Sequence, residues 1–240
     1  MTESTMSVPP DEGVLARAIG IITSPRRTFE GVVQNPRPAA ILFLVTVVIA
    51  LATSLPQFTE RGRQASLDMQ VQQIEKFTGQ PVTDEQYAQM ENRMKYGVYF
   101  TPVAIFIITP IFMLFFAGLY WAVFNTILGG TAAFKQVLGI ISHSSVITAL
   151  GVALGAVVMY FKGTASAMGP FNLGALVPML DEKSFPVQFL SFIDPFRVWS
   201  IIVTSIGLGV LYKRKSGNIA TALLLIYALF AAGYAAFFGR

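Results

Sequence analysis

His143 is the only histidine in the chain, and Ser142, Ser144 and Ser145 flank it in a stretch that is otherwise apolar. An imidazole carried at membrane depth could relay protons or bind a polar substrate, because ionisable groups are costly there and are kept for use. No Asp or Glu lies inside any of the apolar runs to serve as its partner. The alternative is a neutral imidazole that hydrogen-bonds a neighbouring helix, as polar side chains in lipid often do. Asn125, with Thr126 beside it, is a second polar position near the end of an apolar run, suited to interfacial or interhelical hydrogen bonds.

The other patterns that carry chemistry are missing from the sequence. There is no cysteine, so thiolate ligands, disulfides and cysteine nucleophiles are excluded. No His-Glu-x-x-His, Gly-x-Ser-x-Gly or Gly-x-x-x-x-Gly-Lys pattern occurs. One histidine cannot build a histidine-rich metal cage. The reading is therefore of a protein that is not an enzyme, with no catalytic, cofactor-binding or metal-binding residues and no cofactor.

The elements that hold these residues are five apolar stretches: about Pro38 to Pro56, Val98 to Leu128, Ala132 to Phe161, Pro195 to Tyr212 and Asn218 to Phe238. About twenty apolar residues in a helix cover the hydrocarbon core, and backbone amides in lipid must pair within their own segment. The fold class is thus all-α, a polytopic membrane bundle with five transmembrane helices. Short interfacial helices and an extramembrane helical hairpin complete it. The composition agrees: 54% of residues are hydrophobic and 12% charged, with a mean hydropathy of +0.60. The small net charge of +4 lies beside the spans, where lipid headgroups account for it better than nucleic acid does.

Residues 1–12 are expected to be disordered, and residues 1–35, with Pro9, Pro10, Asp11 and Glu12, hold no sustained apolar signal-peptide core, leaving the first span as an uncleaved signal anchor. From Val14 to Ile22 the apolar residues Val14, Leu15, Ala18, Ile19 and Ile22 share a helical face, with Arg17 elsewhere, as in a helix lying in the membrane interface. Ser24-Pro25 reads as a cap and first helical residue of a second short helix. The loop from Gln57 to Gly97 should be a hairpin: Leu67, Val71 and Ile74 stripe its first helix, which ends near Gly79-Gln80-Pro81. Thr83 and Gln86 resemble a capping box for its second. Tyr87, Met90 and Met94 form the second stripe, which either packs on the first helix or receives a protein partner. Pro102 and Pro110 fall inside the second span, which at about 31 residues exceeds the bilayer and must tilt, kink or protrude. Gly129-Gly130 ends it and Thr131 is the expected cap of the third. Residues 162–193 should form two short interfacial or re-entrant pieces before Asp194-Pro195 launches span four. Gly139, His143, Ile147, Gly151 and Gly155, and likewise Ala228, Ala232 and Ala236, step by four and read as packing seams.

With an odd number of spans the termini lie on opposite sides. One side holds Arg17, Arg26, Arg27, Arg37, Lys135, Lys213, Arg214 and Lys215; the other holds nine cations. The totals do not discriminate, but the tight Lys213-Arg214-Lys215 turn and the cluster at Arg26, Arg27 and Arg37 favour a cytoplasmic amino terminus and an external carboxyl terminus.

Four segments then carry a resemblance. They are Ser24-Pro25-Arg26-Arg27-Thr28-Phe29, Gly130-Thr131-Ala132-Ala133-Phe134-Lys135-Gln136, Ile193-Asp194-Pro195-Phe196-Arg197-Val198-Trp199 and Gly207-Leu208-Gly209-Val210-Leu211-Tyr212-Lys213. In their order and spacing the chain resembles the Yip (Ypt-interacting protein) domain family of five-span membrane proteins, in its prokaryotic branch, from about Ala16 to Phe238. The resemblance implies a cytoplasmic segment over 1–35 and a five-helix membrane domain over 36–240; the extramembrane hairpin insertion at 57–97 departs from the short loops expected of the family. Eukaryotic members help recruit prenylated small GTPases and shape membranes. Here the polar amino-terminal region is short and the Asp-Leu-Tyr-Gly-Pro segment is absent, so GTPase binding does not transfer. What transfers is the architecture and a membrane-organising or scaffolding role in a bacterial inner membrane. Its partners would be the lipid bilayer, membrane or membrane-associated proteins, or a second copy of the chain. The contact surfaces would be Tyr87, Met90 and Met94 outside and Arg26, Arg27 and Lys213–Lys215 inside. Two further readings stay open: a small transporter or channel using the kinked second span and His143, and a lipid-binding protein holding a headgroup between 173–193 and the basic turn.

Overall fold

In the computed structural model, which describes residues 13–166 and 168–239, helix follows helix and no strand occurs among the described residues. The expected disorder of residues 1–12 lies outside them. Two ten-residue helices, α1 (Val14–Thr23) and α2 (Pro25–Gln34), precede α3 (Pro38–Ser54), which tightens into a 3₁₀ turn at Leu55–Phe58. The hairpin is α4 (Glu60–Thr78) and α5 (Asp84–Met94). Then come α6 (Gly97–Ala122), closing in a π turn at Val123–Ile127, and α7 (Phe134–Lys162). A 3₁₀ turn at Leu173–Leu176 and α8 (Phe185–Leu190) lead to α9 (Pro195–Leu211) and α10 (Ser216–Phe238).

Four segments are long and apolar enough to cross a bilayer: Pro38–Phe58, Gly97–Ile127, Phe134–Lys162 and Ser216–Phe238. The fifth, α9, has 17 residues, which gives about 26 Å of helix against about 30 Å of hydrocarbon. The 173–193 pieces fold over its start: Leu173 N–H bonds the Ile193 carbonyl at 2.9 Å. Asp194 caps α9 as expected, its Oδ1 accepting from the N–H groups of Phe196 (2.8 Å) and Arg197 (3.2 Å).

Helix α7 is the hub, packed on α3, α6 and α9, while α10 packs on α9 and α8. Glycines and serines make this position available, because small side chains let helix backbones approach where lipid supplies no hydrophobic drive for association. Gly151 lies against Phe196 of α9 and Gly155 against Pro170, so the glycine seam of α7 is a packing seam. In α10 the seam is displaced by one residue: Ala231 and Ala235 are buried, whereas Ala236 is exposed. Helix α6, by contrast, buries only Met113 and Ala117 and turns Phe112, Phe115 and Ile111 outward, as a lipid-facing helix does.

Caps decide the other boundaries. Thr83 and Gln86 form the reciprocal box (3.3 and 3.0 Å), and Gly79 ends α4 with φ of 69°. The start of α7 differs from the expected Thr131 cap: Gln136 Oε1 accepts from Ala133 N–H at 2.9 Å, and Ala133 is the boundary residue. Ser24 makes no side-chain cap to α2 either; its carbonyl accepts from the Thr28 hydroxyl at 3.1 Å.

Candidate functional site

His143 is 1% exposed on α7, and its Nδ1 lies 2.7 Å from the carbonyl oxygen of Gly139, one turn earlier in the same helix. A carbonyl only accepts, so the δ1 nitrogen carries the hydrogen and the neutral ring has one nitrogen left. Ser145 spends its hydroxyl on the Ile141 carbonyl at 2.8 Å. The hydroxyls of Ser142, Ser144 and, on α3, Thr46 are buried without a hydrogen-bond partner. The polar residues of span three are thus sealed inside the bundle.

The amino-terminal pair packs on the same helix. Gly139, on the turn below His143, meets Pro36, and a β-carbon at 139 would come within 2.8 Å of the proline ring. Phe29 and Val32 of α2 and Ile21 of α1 are wholly buried, Phe29 beside Gly207 of α9, where an added β-carbon would lie 3.1 Å from its ring. The last carbonyls of a helix lack partners of their own. In α2 they are met from outside: Gln136 Nε2 of α7 donates to Val33 O at 3.0 Å, and buried Arg17 of α1 donates to Asn35 O at 2.7 Å. A cation at a helix carboxyl end also meets the favourable end of the dipole.

Asn125 sits in the π turn and acts as a tie between chain segments. Its Nδ2 donates to Ala132 O (2.8 Å), and its Oδ1 accepts from Ala132 N–H (3.3 Å) and from the Tyr212 hydroxyl (3.0 Å). Tyr212 stacks on Phe124 at 4.7 Å, and Arg214 donates to Leu128 O at 2.8 Å. One residue type thereby fastens the end of α6, the start of α7 and the end of α9. Around this knot Arg26, Arg27, Lys213, Arg214 and Lys215 are all exposed at the same end of the bundle.

The opposite end holds the hairpin. Tyr87, Met90 and Met94 are half-buried, and α4 reaches this stripe: Gln64 Nε2 donates to Tyr87 Oη (2.7 Å) and Gln70 Nε2 meets Met94 Sδ (3.4 Å). Lys76, which the sequence did not single out, lies 4.9 Å over the Tyr234 ring and 5.2 Å over Phe238, so α4 is clasped to the end of α10. A cleft of about 520 Å³ opens nearby, lined by Phe171, Leu173, Ile193, Val198, Trp199 and Ile202. It lies at the start of α9 and the basic turn at the finish, about 26 Å apart along the helix, so no single headgroup bridges the two.

Two sequence expectations are changed here. His143 and Asn125, paired in the sequence as candidate polar sites, are not brought together as a site; Asn125 belongs to the knot. Arg17, placed off the apolar face of α1, is buried together with Ala18 and Ile21, and the face bearing Leu15, Ile19 and Ile22 is the exposed one. No group of three His, Asp or Glu that could hold a metal occurs among the described residues.

A hub helix walled by apolar helices, with its polar side chains turned inward, defines an integral membrane helical bundle. The chain belongs to the Yip1 domain family, whose model matches residues 19–239. It is similar to the membrane protein YknW of Bacillus subtilis, with 24% identity over 217 residues, covering 88% of this chain and 87% of that one. No solved structure matches. The match begins inside α1, so the second half of α1 and all of α2 fall within the matched region.

Proposed function

We propose that this protein is a non-enzymatic scaffold of the bacterial cytoplasmic membrane, with its amino terminus in the cytoplasm and its carboxyl terminus outside, which docks another membrane or membrane-associated protein on the α4–α5 hairpin. The supporting observation is how little the hairpin buries. α5 buries no residue, and in α4 only Gly62 and Leu67 are buried. Two helices with so small a shared core gain little from each other, since helices of this length are marginal alone. A partner laid along Tyr87, Met90 and Met94 would complete that core, and the clasp at Lys76 holds the hairpin in place to receive it.

Membranes carrying the tagged full-length protein, solubilised in mild detergent, test this. A defined protein should co-purify, and should be lost from the Met90→Asp/Met94→Asp variant while the variant itself elutes as a monodisperse species. Retention of the same protein by that variant removes the hairpin as the docking surface. Reporters fused to the two ends test the orientation, and the same compartment for both would overturn it.

A further inference from the structure

The two ends of the bundle differ in charge in a way that cation counts conceal. Among the described residues, every acid beyond Glu30, from Glu60 to Asp194, lies at the hairpin end, where nine acids face eight cations. The α1–α2 end holds eight cations against Glu30 alone among the described residues. At that same end α1 turns an apolar face outward as well as burying apolar residues. Ala18 and Ile21 are sunk into the bundle, while Leu15 and Ile19 are 67% and 61% exposed and Ile22 joins them. A helix fastened to a membrane bundle by one face, with a second apolar face outward and cations beside it, has the make-up of an interfacial helix. Here the cations come from the neighbouring α2 and from the α9–α10 turn, which the packing of Phe29 beside Gly207 brings to one level.

We propose that this end is a docking surface for anionic phospholipid headgroups. Leu15, Ile19 and Ile22 lie among the upper acyl chains, and Arg26, Arg27, Lys213 and Lys215 meet the phosphates. Arg214, bonded to Leu128 O, holds the turn in shape. The anionic leaflet attracts such clusters within a Debye length, about 10 Å at 0.1 M salt. The hairpin end, where acids outnumber cations among the described residues, offers no counterpart.

The absence of cysteine makes the test clean. A nitroxide on Ile19→Cys in the full-length protein, reconstituted in phosphatidylglycerol–phosphatidylcholine vesicles, should collide with oxygen more than with a water-soluble nickel chelate. Spin-labelled phosphatidylglycerol should be held over spin-labelled phosphatidylcholine by about threefold at low salt, and the ratio should fall as salt rises. It should approach one in Arg27→Gln/Lys213→Gln/Lys215→Gln, fall part-way in Arg26→Gln/Arg27→Gln, and stay unchanged in the hairpin-end control Arg93→Gln/Lys95→Gln. The proposal is overturned by equal ratios in the basic-end variant and the parent, an equal loss in the control, or a label at position 19 reached by the nickel chelate. A label shielded from both reagents also overturns it, because a protein then covers the face.

Discussion

Two pairs of short helices flank the same bundle and are held by opposite means. α1 and α2 have ten residues each and bury Ile21, Phe29, Val32, Thr28 and Arg17 against α7 and α9. α4 and α5 are longer, yet bury one large side chain, Leu67. The first pair takes its stability from tertiary contact with α7 and α9. The second relies on local devices: the Thr59 cap, the left-handed Gly79 and the Thr83–Gln86 box. Damage at the first end should therefore spread through the bundle, and damage at the second should stay where it is made.

The contrast can be broken most severely at Phe29. Phe29→Ala should cost about 3–5 kcal/mol, as a buried aromatic truncation does, and should lower the thermal unfolding temperature of the detergent-solubilised bundle as a whole. An unchanged temperature would detach α2 from the core. Gly207→Val makes the same point by overpacking, at about 1–3 kcal/mol; its branch would press on Ile140 and Phe29, and Phe29→Leu in the same chain should recover part of the loss. Next is Asn125→Ala, which strands the Ala132 N–H and the Tyr212 hydroxyl; about 1–3 kcal/mol is expected, read as faster hydrogen exchange at the α6–α7 and α9–α10 turns together.

Smaller and local effects belong to the hairpin. Thr83→Ala should cost about 1 kcal/mol in α5 alone, visible as hydrogen exchange confined to about 83–94 with the melting of the bundle unaltered. Lys76→Gln should release the α4 end from Tyr234 and Phe238 at a cost of about 0.5–1 kcal/mol, seen as increased exchange near residues 74–79. A global drop in stability from either substitution would erase the distinction between the two ends.

Much of this architecture could be read from the residues. Span positions followed from apolar length, because a bilayer sets how many residues a helix needs. The Thr83–Gln86 box, Gly79 and Asp194-Pro195 followed from local rules, because a cap is made within four residues of itself. The role of Asn125 could not be read this way: its partners Ala132 and Tyr212 come from two other segments, one of them 87 positions away. Lys76 stayed hidden for the same reason, since its aromatic partners lie in the last helix.

The amino-acid order by itself determined that the chain is helical, where the helices run and that lipid surrounds them, since periodicity, caps and hydrophobic length act over a few residues. Which apolar stripe meets protein and which meets lipid was decided only in three dimensions. In water a helix reveals its core face by polarity; in a membrane both faces are apolar and only packing distinguishes them. That is why the exposed face of α1 and the one-residue displacement of the α10 seam became visible only once α7, α9 and α8 were in place.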